Sequence, residues 1–139
     1  MLHTEERVVS ARNELLQIGV RELRTVEEVD SLFADPAGTK MIIFNSMCGC
    51  TARNARPAVA AVLEDGPRPD QVVSVFAGQD LEATEKVRKY LLPQPPSSPC
   101  IALLKDGRLV FILHREQIEG RRAEAITKDL REALTEYCN

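Results

Sequence analysis

The sequence predicts an α/β fold in which helices cover both faces of a central mixed β-sheet, giving a three-layer sandwich. Short apolar runs alternate with longer segments whose apolar residues recur at helical spacing, and this alternation favours a partly parallel sheet. The runs are apolar throughout, as strands are when both faces are buried. Asp106-Gly107 joins the last two runs and is a strong signal for an antiparallel hairpin. Because 139 residues is the size of one domain, we expect a single domain over residues 1–139.

The first part of the chain is predicted to contain two amphipathic helices and a short extended piece. Residues 4–18 form the first helix, because apolar side chains recur there every three or four positions. Residues 20–23 are extended. Thr25 and Glu28 have the spacing of a capping box, which marks the start of the second helix.

The central strand, residues 40–45, runs directly into the segment Cys48-Gly49-Cys50. The two cysteines are therefore predicted at the carboxyl end of a buried strand, where a new helix begins. Pro57 lies within that helix and should kink it. The predicted inner face of the helix consists of Ala52, Ala55, Val59 and Val62.

The second half of the chain continues the alternation and then forms a hairpin and a last helix. Strands are predicted at residues 71–77, 100–105 and 109–114, from their β-branched and apolar composition. Asp80 is a suitable amino-terminal cap for a helix, and the proline-rich segment 93–99 fits neither a helix nor a central strand. The predicted inner faces consist of Ala83, Val87, Tyr90 and Leu91 in the first of these helices, and of Ala123, Ile126, Leu130, Leu134 and Tyr137 in the last.

Composition narrows the classes of function. The formal net charge of −3 offers no basic surface for nucleic acid. Charged residues among the first twenty positions leave no stretch that resembles a signal peptide or a membrane span. We therefore expect a cytoplasmic protein that binds neither nucleic acid nor membrane. In that reducing compartment its four cysteines, at positions 48, 50, 100 and 138, are more typical of redox or metal groups than of structural disulfides.

The position of Cys48 predicts a reactive thiol. Free N–H groups and the positive end of the helix dipole stabilise a thiolate at the start of a helix. Arg53 and Arg56 follow within about two turns and either add positive potential or face solvent. Gly49 permits unusual dihedrals between the cysteines, and a disulfide between Cys48 and Cys50 would be strained and easily reduced. The pair therefore suits accepting a mixed disulfide and then resolving it.

Two other interpretations of the cysteines stay open. Free cysteine is among the most buried residue types, so Cys48 and Cys50 can be small core residues of an interaction module. The four cysteines can in principle form a four-thiolate zinc or iron–sulfur site. We expect no metal, because the sequence has no second Cys-x-x-Cys knuckle.

The chain passes from the proline-rich loop into a strand at Ser98, Pro99 and Cys100. The Ser98–Pro99 bond is a candidate for the cis isomer, which would leave the backbone of Ser98 free to pair with an incoming peptide or thiol. A trans proline that only stiffens the loop is the alternative. Cys100 is either a resolving thiol or a core residue, and we favour the core. Cys138 is predicted to be mobile and exposed.

Five segments, in order along the chain, are similar to those of a known family. They are Asn45-Ser46-Met47-Cys48-Gly49-Cys50, Ala55-Arg56-Pro57-Ala58, Val75-Phe76-Ala77-Gly78-Gln79-Asp80, Ser97-Ser98-Pro99 and Ile118-Glu119-Gly120-Arg121. Together they resemble the bacilliredoxin family. The resemblance extends over nearly the whole chain, since it includes residues 19–23 and the cysteine at position 138.

The resemblance implies a thioredoxin-like fold and removal of the low-molecular-weight thiol bacillithiol from oxidised protein cysteines. Family members are also described as thiol–disulfide oxidoreductases or isomerases, so a general disulfide isomerase or oxidase is the alternative. By this resemblance Cys48 is the nucleophile that takes up bacillithiol, and Cys50 or a second small thiol resolves the adduct. Pro99 is then a cis-proline facing the site, with Gly49 and Ser98 as further binding residues. The expected partners are proteins carrying mixed disulfides, with bacillithiol as co-substrate and no bound cofactor.

The chain departs from the family pattern at two positions. The family usually has a small hydroxyl residue in place of Cys100 and a small residue in place of Arg53. An extra thiol near the site can change how the adduct is resolved. Cys100, Cys138, Arg53 and Arg56 are therefore candidates for auxiliary roles.

Overall fold

The computed structural model describes residues 2–138, with side chains described for residues 5–138. The regular elements in chain order are α1 (Leu2–Leu16), β1 (Arg21–Glu22), α2 (Val26–Ala34), β2 (Thr39–Asn45), α3 (Arg56–Glu64), β3 (Gln71–Phe76), α4 (Leu81–Tyr90), β4 (Cys100–Lys105), β5 (Arg108–Leu113), α5 (Arg115–Ile118) and α6 (Ala123–Tyr137). A π-helical segment, Thr51–Ala55, leads directly into α3. No helix within residues 2–138 is long and apolar enough to cross a membrane.

The strands form a five-stranded mixed sheet in the order β1-β3-β2-β4-β5. β1, β3 and β2 are parallel to one another, whereas β4 is antiparallel to both β2 and β5. At the turn of the hairpin, Asp106 and Gly107 have left-handed φ angles of 50° and 82°, as a tight two-residue turn requires. The predicted mixed sheet and its hairpin are confirmed.

The strand β2 is buried along its whole length because helices cover both faces of the sheet. Met41 and Ile43 pack into a cluster with residues of α3 and α6. Ile42 and Phe44 pack into a second cluster with residues of α2 and α4. Successive side chains of a strand point to opposite faces, so β2 contributes to both clusters. The three-layer α/β sandwich is confirmed.

A nearly buried network of three charged side chains links α1 to β1 and to the residue before α4. Nη1 of Arg12 donates to Glu22 Oε2 at 2.6 Å and to Asp80 Oδ2 at 2.8 Å, and the three side chains are only 10–11% exposed. Asp80 directly precedes α4, as predicted, but its side chain makes no capping hydrogen bond. Its carboxylate binds Arg12 instead. The position predicted for Asp80 is therefore correct, but the capping hydrogen bond expected of its side chain is wrong.

Two residues predicted to face the core are exposed. The helix after the cysteines widens into the π-helical segment, and this moves the inward position from Ala52, which is exposed, to Thr51, which is fully buried. The segment ends two residues before Pro57, which lacks the N–H that a regular helix needs there. Tyr90 is 43% exposed, because its ring stacks on Phe33 at the surface with ring centroids 4.0 Å apart.

Candidate active site

Cys48 lies in the turn between β2 and the helix that begins at Gly49, where the sequence predicts it. Its carbonyl accepts the N–H groups of Thr51 at 3.0 Å and Ala52 at 3.2 Å. Its own amide donates to Ser46 Oγ at 3.2 Å, and Ser46 Oγ is hydrogen-bonded to Thr51 Oγ1. These bonds fix Cys48 at the first turn of the helix, where the helix dipole favours an anion.

The half-buried sulfur of Cys48 receives two N–H groups. The backbone N–H of Cys50 lies 3.4 Å from Cys48 Sγ, and Nη2 of Arg115 lies 3.5 Å from it. The pKa of Cys48 is lowered chiefly by a hydrogen bond with the Cys50 thiol, which outweighs burial, and further by the Cys50 N–H and the charge of Arg115. The thiolate is therefore stabilised by groups on two different elements.

Cys50 differs from Cys48 in burial and in the direction of its pKa shift. It is only 7% exposed, and burial raises its pKa, with a further contribution from its hydrogen bond to Cys48. Both residues are free thiols. Because the two pKa values shift in opposite directions, Cys48 ionises first and presents the more accessible sulfur.

No sequence pattern predicts Arg115 as a site residue, although its side chain lies at the centre of the site. Its Nη1 donates to the carbonyl of Ser98 at 3.2 Å, and its Nε donates to Glu119 Oε2 at 2.8 Å. It therefore links the sulfur of Cys48 to the loop before β4. The signal that could have located Arg115 is the register of the hairpin. Leu113 pairs with Ile101 at the same edge of the sheet as the end of β2, so the residues just after Leu113 lie near the cysteines.

The proline-rich loop is held beside the sulfur of Cys48. The Ser98–Pro99 peptide bond is cis, which confirms the isomer implied by the resemblance. The ring of His114 is hydrogen-bonded to Ser97 Oγ at 2.7 Å and to Gln94 Oε1 at 3.0 Å. The sequence context of His114 indicates only an ordinary surface or strand residue, but its ring ties this loop to the chain immediately before Arg115.

Arg56 neither faces solvent nor contacts the sulfurs. It is only 6% exposed, and its Nη1 donates to Asn45 Oδ1 at 2.9 Å and to the carbonyl of Ser46 at 3.0 Å. Nη2 also pairs with Glu14 of α1 at 3.2 Å. The solvent-facing alternative for Arg56 is therefore wrong, because its partners are the end of β2 and α1. Added positive potential at the sulfurs stays a prediction. Arg56 positions the turn that carries Cys48.

Arg53 is exposed, and its guanidinium lies over Gly49. A Cβ atom placed on Gly49 would be 2.9 Å from Arg53 Nη2. Within the described residues, Arg53 makes no hydrogen bond to either sulfur. Gly49 itself is the first helical residue, so it does not use the unusual dihedrals that a glycine permits. Its missing side chain leaves room for the arginine beside the site.

Among the described side chains, neither of the other two cysteines is a hydrogen-bond partner of the Cys48 sulfur. Cys100 is 3% exposed in the cluster on the α2 and α4 face, so the core position favoured for it is confirmed and a direct resolving role is not. Cys138 is half-buried beside Thr39 and Asp70, at the opposite end of β2 from Cys48, so the exposed position expected for it is wrong. Within the described residues, no group of three or more His, Cys, Asp or Glu side chains is placed to hold a metal ion.

Solved structures with the same architecture include thioredoxins. A mutant thioredoxin from Halobacterium salinarum matches with a TM-score of 0.61 and 15% identity, over 88% of this chain and 93% of that one. Thioredoxin from Fasciola hepatica matches with a TM-score of 0.57 and 22% identity, over 85% and 99%. These similarities confirm the thioredoxin fold. The chain therefore belongs to the class of thioredoxin-fold proteins, with a cysteine pair where the helix begins after the central strand.

Within that class, the chain is matched over residues 3–138 by the family model described as disulphide isomerase. It is 49% identical over 140 residues to a bacilliredoxin of Salinibacter ruber, covering 99% of this chain and 82% of that protein. It is also 49% identical over 131 residues to a bacilliredoxin of Geobacillus kaustophilus, covering 94% and 90%. The chain belongs to this family of disulphide isomerases and bacilliredoxins, and the resemblance seen in the sequence is confirmed.

Proposed function

We propose that this thiol oxidoreductase removes bacillithiol, or a similar low-molecular-weight thiol, from oxidised cysteines of client proteins. The observation that carries the proposal is the sulfur of Cys48, which is more accessible than Cys50 and receives N–H groups from Cys50 and Arg115. A thiolate is the attacking form in thiol–disulfide exchange. The names of the relatives support bacillithiol as the small thiol.

In the first step, the thiolate of Cys48 attacks the sulfur of the small thiol in the client's mixed disulfide. A new disulfide forms between Cys48 and the small thiol, the original S–S bond breaks, and the client cysteine leaves as a thiolate that takes up a proton from water. The client is thereby reduced, and Cys48 is oxidised to the mixed disulfide. Donors around the Cys48 sulfur favour this residue as the attacking group.

In the second step, either Cys50 or a second small thiol clears the adduct. Attack by the Cys50 thiolate on Cys48 Sγ forms the Cys48–Cys50 disulfide and releases the small thiol. Attack by an external thiolate on the small thiol's sulfur regenerates Cys48 and forms a small-molecule disulfide. The raised pKa of Cys50 makes its own attack dependent on losing a proton first.

We assign client binding to Gly49 and Ser98 beside the sulfur, together with the backbone at Pro99, whose side chain is buried. Ser98 is half-buried and lies at the edge of the site, with its carbonyl held by Arg115. The partners are proteins with mixed disulfides and bacillithiol is the co-substrate, with no bound cofactor. The proposed place of action is the cytoplasm.

A general protein disulfide isomerase is the second candidate function, because the matching family model carries that description. It would use the same pair, with Cys48 attacking a client disulfide and Cys50 releasing a trapped client. The two functions differ in substrate and share the attacking residue.

The four-thiolate metal site has little support from the geometry. Cys100 faces the α2 and α4 side of the sheet, and Cys138 lies near the first residue of β2. Four sulfurs around one zinc ion would each lie about 2.3 Å from it. The pair at Cys48 and Cys50 therefore has no nearby partner pair among the described cysteines.

Intact-mass spectrometry tests the proposal. The full chain is incubated with a client protein modified by bacillithiol and, in parallel, with the same client modified by glutathione. We expect the mass of bacillithiol to appear on the chain as the client thiol is released. Rearrangement of a scrambled disulfide substrate, with no transfer from either modified client, would favour the isomerase function instead.

A further inference from the structure

We infer that Arg115 is a binding site for a carboxylate of the small thiol carried on Cys48, and that it selects acidic low-molecular-weight thiols. The inference rests on the proposed function, because it names a property of the small thiol that the same site exchanges. It starts from the hydrogen bonds of one guanidinium group.

The guanidinium of Arg115 presents two different edges to its surroundings. The edge formed by Nε and Nη2 faces Glu119, with both nitrogens 2.8 Å from Oε2. The nitrogens Nη1 and Nη2 face the carbonyl of Ser98 at 3.2 Å and the sulfur of Cys48 at 3.5 Å. Glu119 therefore orients the group, and its remaining donors are directed into the site.

The acceptor at Cys48 changes when the first exchange step occurs. A thiolate is an anionic acceptor, but the sulfur of a mixed disulfide is neutral, so the Nη2–H loses its charged partner. The sulfur of the bound small thiol then lies about 2.05 Å from Cys48 Sγ. Its next few atoms are within reach of the guanidinium. A carboxylate there would replace the lost anion as the acceptor of this Nη2–H, in a charge-assisted hydrogen bond.

The charges and exposure around Arg115 suit such a ligand. Its side chain is 47% exposed, so an arriving carboxylate needs no rearrangement of the core. A second guanidinium, that of Arg53, lies over Gly49 in the same turn as Cys48. Glu119 is the carboxylate in contact with Arg115, and it occupies the edge formed by Nε and Nη2.

Two adducts that differ only in charge test the inference. One client protein is modified with 3-mercaptopropionate or with its neutral amide, 3-mercaptopropionamide, and the rate of transfer to the full chain is measured for each. Each rate is divided by the rate at which dithiothreitol reduces the same adduct, which removes the intrinsic reactivity of the two disulfides. We expect the chain to prefer the carboxylate about three- to tenfold, the range of a partly exposed charge-assisted contact.

Variants separate recognition of the carboxylate from an effect on the thiolate. Arg115→Gln should bring the two normalised rates to the same value, even if both fall, because any change in the Cys48 thiolate affects both adducts equally. Arg115→Lys should keep part of the preference. Arg108→Gln, which removes an exposed positive charge at the opposite end of β5, should keep all of it.

Three results would overturn the inference, and they differ in what else they affect. Equal normalised rates for the wild-type chain, or a preference that persists in Arg115→Gln, would exclude Arg115 as a carboxylate site and leave the proposed function standing. Transfer of neither adduct by the wild-type chain would contradict the inference and the proposed function together.

Discussion

The two cysteines of the site have the same side chain but differ in exposure and in how readily they ionise, because they occupy different positions in the turn. Cys48 ends the turn after β2, where its sulfur reaches solvent and receives N–H groups. Cys50 lies two residues further along the helix and points inward. Donors favour a thiolate and burial disfavours it, so the first sulfur is suited to attack.

Cys48 should react with iodoacetamide at a lower pH than the other cysteines. Its pKa is lowered, whereas those of Cys50, Cys100 and Cys138 are raised, so its thiolate forms first as the pH rises. Labelling from about pH 5 to 10, followed by peptide mass mapping, shows how the extent of reaction of each cysteine rises with pH. Cys100, with a pKa raised to about 11 by burial, is the internal control. The same dependence on pH for Cys48 and Cys50 would contradict this assignment.

Arg56 should be the arginine whose loss costs the most stability near the site. Arg56→Met removes the buried donor to the Ser46 carbonyl and to Asn45 Oδ1. We expect the free energy of unfolding to fall by about 2–4 kcal/mol, measured by urea denaturation. Arg53→Met, on the exposed side of the same turn, should change it by about 0.5 kcal/mol or less. Similar losses in both variants would disprove a special role for the buried guanidinium.

At the scale of the elements, apolar runs were the most reliable guide. The run 40–45 corresponds to β2, which begins one residue earlier, and the run 100–105 is β4. The capping box at Thr25 and Glu28 is present as predicted. These features depend on neighbouring residues alone, so the sequence contains the whole signal.

Elements that depend on distant contacts were missed or misplaced. The helix α5 has only four residues, too few for an apolar period, and its key side chain contacts residues of other segments. The π-helical segment adds one residue to a helical turn, so the spacing of Ala52 no longer indicates the inward face. Asp80 has the composition of a cap, but the partner that takes its carboxylate lies 68 residues away.

The capping box gives a prediction for α2. Thr25 Oγ1 accepts the backbone N–H of Glu28, and the Glu28 carboxylate accepts the N–H of Thr25. Thr25→Ala should lower the free energy of unfolding by about 1 kcal/mol, measured by urea denaturation. Ser31→Ala, at an exposed position inside the same helix, should leave it unchanged or slightly higher. A loss for Ser31→Ala equal to that for Thr25→Ala would contradict the capping argument.

At the scale of the whole molecule, topology assembles the site from distant segments. The carboxyl end of β2, the amino end of β4 and the carboxyl end of β5 lie at one edge of the sheet. Cys48 and Arg115, 67 residues apart in sequence, therefore meet there with the Ser98 loop between them. The predicted hairpin brings the end of β5 to this edge, but nothing in the sequence singles out Arg115. The orientation of the Arg115 side chain required the packed structure, because Glu119 and Ser98 fix it.

Both halves of the core should unfold together, as the single domain predicted from the sequence requires. The chain has two tyrosines and no tryptophan. Tyr90 reports on the α2 and α4 face through its stacking on Phe33, and Tyr137 packs on the opposite cluster. Because β2 belongs to both clusters, we expect one cooperative transition.

Single-tyrosine variants measure this cooperativity. In Tyr90→Phe and in Tyr137→Phe, the urea midpoint from tyrosine fluorescence should coincide with the midpoint from far-ultraviolet circular dichroism of the same variant. Comparison within each variant removes the effect of the substitution on stability. A fluorescence midpoint that differs from the dichroism midpoint in either variant would mean that the two faces unfold separately.

The central claim, that Cys48 attacks a client's mixed disulfide, is tested most directly by trapping the adduct. In Cys50→Ser, incubation with the bacillithiol-modified client should leave one bacillithiol on the chain, mapped to Cys48, with one client thiol released for each adduct formed. The matched Cys48→Ser variant should take up none. Uptake by Cys48→Ser at Cys50, or an adduct mapped to Cys100 or Cys138, would contradict the assignment of Cys48 as the attacking sulfur.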